Sequence, residues 1–530
     1  MYVSIKKYIS SYCIQKDTFY VVFRIASLVN FPREIIPVLV NLMTLTQTNS
    51  DRTTQTNLLS TPNSGPNPFR IHALERSDHA MQVWLFSGLF WLTIAMIVGI
   101  IEAVKLFYPE FLQSIPALAY GRLRPVHVNI GIFGFMSMGY LGAAFYMVPR
   151  LTQAPLFSES LGSLTAWGWN FNLLGGCLAI VMGFSKGKEY SEIPFPFDMG
   201  FGLLEIAVAG NIFSTFVQRR EQRLYVSLWY ILLAIIPFPI YYTLGNANRF
   251  SGIEDAIVNW FYSHNLFGIW LTTLGLATLY YIVPKQVKKP LYSHTISFVG
   301  FWTLAAFYPW NGGHHVIWGP VPMWVMSASV TASLAMFVPV FATIVNFGGT
   351  ALGALSVLKT DVSYRFSILA YLGYAGASLW GSSLAIMSFN AKIHFTYMTI
   401  AHVHLGFLGF GIAGLVAFTY FYLEKSRKLS YSQSLAEWHF WLTVLGIVAY
   451  VASMAAIGLI EGNEWEMGNS PTGTMMLRTP YNIVRAIGGG MLLIGQSVFI
   501  WNIWQTLTTS PASAEQSLLP ENRQLEVAQK

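Results

Sequence analysis

The sequence predicts an all-α, polytopic membrane protein with twelve transmembrane helices, and two features of its composition support this fold class. Hydrophobic residues make up 54% of the 530 residues and charged residues only 10%, whereas soluble domains carry about 25% charged residues. The apolar residues are also collected into long segments, and a helix needs roughly 20 such residues to cross a bilayer.

Twelve apolar segments of this kind follow one another along the chain, and each is predicted to be one membrane-spanning helix. All of them fall within residues 81–508, which we expect to form one helical domain. They begin near Val83, Val126, Leu161, Gly200, Val226, Val258, Thr295, Met323, Ser367, Met398, Trp438 and Tyr481.

The two ends of the chain differ from this domain. Residues 1–80 are rich in Ser, Thr, Asn and Pro, above all between Thr53 and Pro68, and this composition predicts a flexible N-terminal extension. Residues 509–530 are predicted to be a C-terminal tail. The two cysteines, Cys13 and Cys177, are too few and too far apart for a disulfide framework or a thiolate metal site. Any metal chemistry must therefore use histidine.

The charged loops predict the orientation in the membrane. Basic residues collect after helices 4, 6 and 10, whereas the loop after helix 11 is acidic. The residues are Arg219, Arg220, Arg223, Lys285, Lys288, Lys289, Lys425, Arg427 and Lys428, against Glu461, Glu464 and Glu466. Because cytoplasmic loops carry the basic excess, we expect both termini in the cytoplasm. The net charge of +7 thus indicates contact with membrane lipid rather than with nucleic acid.

Six histidines lie inside the apolar segments, where an imidazole is costly unless something binds it. They are His127, His264, His314, His315, His402 and His404. With the predicted orientation all six fall in the outer third of the membrane, as ligands of shared centres would. A lone membrane histidine more often only forms hydrogen bonds, and we interpret His294, His394 and His439 in that way.

Helical geometry divides the six histidines between two centres. Residues i and i+2 point about 200° apart on an α-helix, so His402 and His404 should face different sites. Adjacent residues are about 100° apart, so His314 and His315 can reach one metal, and His264 can supply a third nitrogen. Such a site suits copper or another borderline metal. His127 and one of the His402 and His404 pair could be the axial ligands of a buried haem.

The motifs around these histidines resemble those of the catalytic subunit of haem-copper oxidases, specifically the C family, or cbb type, and its nitric oxide reductase relatives. The resemblance runs from about Val83 to Thr508 and covers all twelve predicted helices. The motifs are Gly121-Arg-Leu-Arg-Pro-Val-His127, Trp260-Phe-Tyr-Ser-His-Asn-Leu-Phe-Gly268, Tyr280-Tyr-Ile-Val-Pro-Lys285, Gly312-Gly-His-His315, Thr399-Ile-Ala-His-Val-His404 and Val484-Arg-Ala-Ile-Gly-Gly489.

The resemblance implies a role for each histidine. His127 and His404 would be the axial ligands of a low-spin haem b, and His402 the proximal ligand of a high-spin haem, expected to be of b type. The other three, His264, His314 and His315, would hold copper in an oxidase or non-haem iron in a nitric oxide reductase.

Further residues match the same family. Arg124 and Arg122 are expected to bind haem propionates, because a guanidinium binds carboxylates bidentately. Glu189, together with Glu192, would bind calcium beside the propionates. Tyr280 and Ser297 match polar positions of the family's proton input channel, which leads to Tyr308.

Three positions bear on whether the substrate is O2 or nitric oxide. Tyr308 matches the C-family tyrosine that is cross-linked to the first copper ligand, here His264, and in an α-helix it would share a face with His315. Nitric oxide reductases typically carry a glutamate where this chain has Gly268. Both features favour O2. Trp380, in contrast, stands where C-family oxidases carry a glutamate, and it resembles the reductases.

The expected function is that of a terminal oxidase subunit which reduces O2 to water with proton uptake from the cytoplasm, in the inner membrane of a prokaryote. The chain contains no CXXCH haem-attachment motif, so a separate cytochrome c-type subunit is the expected electron donor. A nitric oxide reductase with non-haem iron is the first alternative. A transporter or channel whose histidines relay protons is the second.

Overall fold

Each predicted apolar segment forms a helix in the computed structural model, which describes residues 78–247 and 249–508. All regular elements in these ranges are helical, so the predicted all-α fold is confirmed. The helices are α1 Asp78–Lys105, α2 Tyr120–Thr152, α3 Glu159–Met182, α4 Phe197–Val217, α5 Val226–Asn246, α6 Gly252–Val287, α7 His294–Phe307, α8 Met323–Ala351, α9 Val362–Leu384, α10 Tyr397–Ser426, α11 Gln433–Glu466 and α12 Met475–Thr508.

Ten of these twelve helices are long and apolar enough, by length and composition, to cross a membrane. The other two are α7, which has 14 residues and continues as a 3₁₀ helix over Tyr308–His315, and α9, which has 23 residues. Residues 1–77 of the predicted extension, which was expected to cover residues 1–80, lie outside the described residues. Residues 78–80 belong to α1, which begins at Asp78. The predicted tail, residues 509–530, lies outside them as well.

The helices that carry histidines share a local change of winding. In α2, α6 and α10 the turn directly after the histidine is π-helical, over Ile130–Ser137, Leu266–Thr272 and Leu405–Ile412. A π-helical turn fits an extra residue into the helix and is frequent at functional sites. The apolar stretches of α2 and α6 are 89% buried, against 39% for α1. These two helices therefore form the centre of the bundle.

Glu461 fixes the start of the histidine-bearing helix α10. Glu461, Glu464 and Glu466 were predicted to lie in an acidic loop after helix 11, which is wrong, because all three lie within α11. Glu461 is fully buried. Its Oε2 accepts a hydrogen bond from the backbone N–H of Tyr397 at 3.0 Å, and its Oε1 pairs with Arg478. A carboxylate at a helix N-terminus is favoured by the helix dipole. Glu461 thereby joins α10, α11 and α12, and sets the position of the histidines that follow.

We predict that Glu461→Ala strongly destabilises the protein. Removing one partner of a fully buried ion pair costs about 3–5 kcal/mol, which is an upper bound here because Arg478 is half-buried whereas Glu461 is fully buried; the substitution also leaves the backbone N–H of Tyr397 without its acceptor. The midpoint of thermal unfolding should fall clearly below that of the wild type. Glu466→Ala is the control, since the pair of Glu466 with Lys392 at 2.9 Å is exposed and worth at most about 1 kcal/mol. Equal midpoints for the two variants would contradict the role assigned to Glu461.

Candidate metal centre and adjoining cavity

Two cavities lie side by side in the centre of the bundle, and five of the six histidines line only one of them, whereas His315 lines both. The larger cavity has a volume of about 530 Å³ and is lined by His127 and His404. The smaller has about 200 Å³ and is lined by His402 and by the three histidines of α6 and the 3₁₀ segment. Phe407 lines both. His402 and His404 thus open to different cavities, as their spacing predicts.

Three of the histidines form a cluster with metal-binding geometry. One nitrogen from each of His264, His314 and His315 lies within 4.8 Å of the others, and no second group of this kind occurs among the described residues. The ring centroids of His264 and His314 are 4.7 Å apart, and those of His314 and His315 are 4.4 Å apart. Three imidazoles on one side of a cavity leave an open position for a further ligand of the metal.

The 3₁₀ segment Tyr308–His315 brings two of these histidines to the cluster. Pro309 has no N–H to continue the α-helical bonding, and α7 ends at Phe307. Gly312 lets the segment approach α6, since a Cβ there would meet the carbonyl of Trp260. A 3₁₀ helix has three residues per turn. Tyr308 is therefore two turns before His314, and the expectation from α-helical geometry that it shares a face with His315 is wrong.

The residues of the larger cavity fit the axial ligation of a haem. Nδ1 of His127 lies 2.9 Å from the carbonyl of Ala95, and Nδ1 of His404 lies 2.9 Å from that of Ile400. Because a carbonyl only accepts hydrogen bonds, both Nδ1 atoms carry the proton and both Nε2 atoms are free to bind iron. The ring of His127 also needs the space left by Gly99, where a Cβ would lie 2.8 Å from it.

The remaining histidine of the smaller cavity, His402, lies against α9. Its Nδ1 is buried and has no hydrogen-bond partner among the described residues. Gly381 leaves room for the ring, because a Cβ there would lie 2.8 Å from its Cε1. The ring of Trp380 is 6.2 Å from that of His402, centroid to centroid.

Tyr308 and Gly268 are in direct contact beside the cluster. The ring of Tyr308 stacks on that of His264 with centroids 4.6 Å apart. A Cβ at Gly268 would overlap the Tyr308 ring. A side chain at position 268 would therefore occupy the space that the ring of Tyr308 fills, and the two cannot be present together in this arrangement.

Charged residues line the outer part of the larger cavity. Arg124 pairs with Glu189 at 2.6 Å. Glu102 and Arg485 were not among the site residues predicted from the sequence, although an ionisable residue within an apolar helix is a signal of function. Both are buried and line this cavity. Arg485 donates to the hydroxyl of Tyr450 at 2.8 Å, and that tyrosine stacks on His404.

Three other residues considered from the sequence are Arg122, Glu192 and His394, and only His394 lines a cavity. Arg122 donates to the carbonyl of Val181 at 2.7 Å and does not line the larger cavity. Glu192 is buried and accepts from Asn129 at 2.9 Å. Burial raises the pKa of the Glu192 carboxyl, and the bond from Asn129 opposes this rise. His394, interpreted from the sequence as an ordinary helix-end residue, lines both cavities.

A column of buried polar residues leads away from the three-histidine cluster. Asn346 donates to the hydroxyl of Ser297 at 2.6 Å. The hydroxyl of Tyr280 lies near Ser297, Asn346 and Thr343, and Thr343 lies near Tyr374, but the hydroxyls of Tyr280 and Thr343 form no hydrogen bond with the described residues. Tyr374 lines the smaller cavity together with Tyr308. Ser297, Tyr280 and Tyr308 were predicted from the sequence. The remaining members, Asn346, Thr343 and Tyr374, were not, because polar residues on α8 and α9 carry no motif.

Comparison with known proteins places these features in a family. The family described as cytochrome c and quinol oxidase polypeptide I matches residues 79–491. The chain is 32% identical to cbb3-type cytochrome c oxidase subunit CcoN1 of Stutzerimonas stutzeri, over 79% of this chain and 92% of that protein. It is 30% identical to cytochrome c oxidase subunit 1 of Rhodobacter capsulatus, over 83% and 87%.

More distant proteins share the same fold. A nitric oxide reductase chain of Stutzerimonas stutzeri is 21% identical over 84% of this chain and 98% of its own length. A solved haem-copper terminal oxidase dimer superposes with a TM-score of 0.65 at 16% identity, over 84% of this chain and 85% of that chain. At this identity the superposition shows the fold alone.

We predict that Gly268→Ala lowers the stability of the protein. The added methyl group would overlap the ring of Tyr308, and overpacking of a core typically costs about 1–3 kcal/mol. The check is the midpoint of thermal unfolding, followed by tryptophan fluorescence. Gly210→Ala is the matched control, because nothing lies within 4 Å of a Cβ at that helical glycine. A loss of stability as large in the control as in Gly268→Ala would show that packing on Tyr308 is not the cause.

Proposed function

Because the chain belongs to the cytochrome c and quinol oxidase polypeptide I family, we propose that it is the catalytic subunit of a cbb-type terminal oxidase that reduces O2 to water. The observation that carries this proposal is the three-histidine cluster with Tyr308 packed on His264 and over Gly268. It is a multi-pass protein of the bacterial plasma membrane. We propose further that both termini lie in the cytoplasm, as the basic loops indicate.

We propose that the histidines hold three redox groups. His127 and His404 would bind a low-spin haem b, and His402 a high-spin haem, also of b type. His264, His314 and His315 would bind copper. Once bound, the high-spin haem and copper supply the electrons and the open coordination positions that O2 reduction requires.

The protein's own residues would deliver protons and orient these groups. Tyr308, in contact with His264, is placed to give a proton and an electron to O2 as its bond breaks. The column from Ser297 through Tyr280, Thr343 and Tyr374 would supply the proton, and the electron-donor subunit the electron, that together restore Tyr308. Water molecules would have to join the members of this column, because the hydroxyls of Tyr280 and Thr343 have no hydrogen-bond partner among the described residues.

The charged residues of the larger cavity would bind haem propionates. Arg485 and Arg124 both line it, so we propose these two as the partners, while Arg122 is directed elsewhere. Calcium at Glu189 and Glu192 stays a prediction of the family resemblance. In the described structure Arg124 already neutralises Glu189, and Asn129 donates to Glu192.

Nitric oxide reduction, with iron in place of copper, is the second candidate, and Trp380 is the observation that favours it. The ring of this tryptophan lies near that of His402, but it does not line the smaller cavity. The glutamate typical of the reductases would have to occupy position 268. The ring of Tyr308 fills that space.

The proposed function is tested by purifying the protein with its partner subunits, among which we expect a cytochrome c-type electron donor. Metal analysis should give copper and haem iron, and the optical spectrum should contain low-spin and high-spin b haems. Turnover should be measured with O2 and with nitric oxide. Non-haem iron together with turnover of nitric oxide alone would move the assignment to a nitric oxide reductase. A haem-free protein would favour a proton-relaying transporter.

We predict opposite spectral effects for the two neighbouring histidines of α10. His404→Ala should abolish the sharp absorption band of the low-spin haem, as should His127→Ala, because each removes one axial ligand from the larger cavity. His402→Ala should leave that band and remove the high-spin haem signal, because its ring opens to the smaller cavity. Each variant is the control for the other. A low-spin band that survives in His404→Ala and vanishes in His402→Ala would reverse the assignment.

We also predict that Tyr308→Phe loses nearly all turnover with O2. The substitution removes one hydroxyl and keeps the ring that packs on Gly268 and His264, so folding and metal binding should persist. The measurements are O2 and nitric oxide turnover, metal content, and mass spectrometry for a joined peptide pair containing Tyr308 and His264. Tyr371→Phe is the control, as its hydroxyl bonds only a backbone carbonyl. Undiminished O2 turnover without a cross-link would refute the role of Tyr308.

A further inference from the structure

We propose that Ser333 of α8 is a positioning residue that selects the metal-binding nitrogen of His314. This inference rests on the proposed function in one respect, namely that the three-histidine cluster holds a metal. It concerns the residue that fixes one ligand, and not the ligands themselves.

The hydrogen bonds around Ser333 determine which nitrogen of His314 carries the proton. Ser333 is buried, and its hydroxyl lies 2.8 Å from Nδ1 of His314. The same hydroxyl donates its proton to the carbonyl of Ser329 at 2.7 Å. A serine hydroxyl has a single proton to donate, so its oxygen must accept from His314. Nδ1 of His314 therefore carries the proton, and Nε2 is left with its lone pair for the metal.

A second serine on the same face of α8 holds the segment that carries His314. The hydroxyl of Ser329, one turn before Ser333, donates to the carbonyl of Trp310. It also lies against Gly313, where a Cβ would be 2.5 Å from the hydroxyl oxygen. The 3₁₀ segment is thus attached to α8 at its backbone through Ser329 and at its ligand through Ser333.

The other two rings of the cluster are held in a different way. His315 stacks on Trp260 with centroids 4.0 Å apart, and His264 stacks on Tyr308. Stacking fixes the plane of an imidazole but does not decide which nitrogen is protonated. Nδ1 of His264 has no hydrogen-bond partner among the described residues. Ser333 therefore supplies a constraint on the tautomer of His314 that ring packing cannot provide.

The size of the effect follows from metal sites in general. A histidine ligand usually donates its second N–H to an acceptor, and loss of that acceptor typically lowers metal affinity by about 10–100-fold. In Ser333→Ala the acceptor is lost. Either the N–H at Nδ1 of His314 is then left without a partner, or the ring takes the other tautomer, in which Nδ1 carries the lone pair that could bind the metal. Ser333→Thr keeps the hydroxyl and should keep the affinity.

The test compares Ser333→Ala and Ser333→Thr with the wild-type holoenzyme. Ser327→Ala is the matched control, because Ser327 lies on the same helix and is exposed. Copper per haem and the rate of copper loss to bicinchoninic acid are measured, together with the C–O stretching band of carbon monoxide photolysed from haem onto copper. We expect copper loss to be about 10–100-fold faster in Ser333→Ala, with a shifted C–O band. The threonine variant and the control should match the wild type, and all should keep the low-spin haem spectrum.

The alternative results decide separately on Ser333 and on the proposed function. Wild-type rates and an unshifted band in Ser333→Ala would overturn the role of Ser333 while leaving the oxidase assignment intact. If the wild type holds iron instead, the oxidase assignment fails, and the same comparison with an iron chelator decides on Ser333. Should Ser333→Ala not accumulate, Ser333→Cys replaces it, since a thiol is only a weak acceptor. Metal retention equal to the wild type in that variant would also overturn the proposal.

Discussion

The constraint on which the rest of this structure depends is that an imidazole in the interior of a membrane bundle is costly unless its nitrogens are bound. Water is scarce there, and an unpaired polar group costs free energy. His127 and His404 give one N–H each to a backbone carbonyl, and His314 gives one to Ser333. In each case the remaining nitrogen faces a cavity. Under the proposed function, these hydrogen bonds leave the second nitrogen of each of the three imidazoles as the one that would bind copper or haem iron.

The backbone around the histidines departs from regular α-helix to meet this constraint. The carbonyl that accepts from His404 belongs to its own helix, four residues earlier, whereas that for His127 comes from α1. The π-helical turns after the histidines of α2, α6 and α10 rotate the rest of each helix relative to its ligand. Gly99, Gly381 and Gly268 supply space for three aromatic or imidazole rings at their closest contacts. Loss of any one of these glycines would disturb a ligand or its neighbour.

The sequence predicted the number and order of the helices because a bilayer demands long apolar segments, and this demand is local. It predicted the six histidines because polar residues are conspicuous in such segments. The sequence did not predict that Glu461 is buried within a helix. Its carboxylate is bound there by Tyr397 and Arg478, which belong to two other helices. The sequence also failed at the winding of Tyr308–His315, although Pro309 and the Gly312-Gly313 pair gave a local signal. Ser333 carries no signal at all, since its role arises only from contact with His314.

The three positions that bear on whether the substrate is O2 or nitric oxide lie at two different places in the structure. Gly268 and Tyr308 meet at the three-histidine cluster, where a substrate would bind between the cluster and a haem held by His402. Trp380 lies near the ring of His402 but does not line the smaller cavity. Groups that line the cavity choose the chemistry, because they touch the substrate. A group packed near a ligand outside the cavity acts only through that ligand, whose basicity depends on its surroundings. The cavity residues of this chain are those that the resemblance assigns to an oxidase. Under the proposed function, Trp380 would alter the surroundings of the proposed haem ligand His402 rather than the side that faces the substrate.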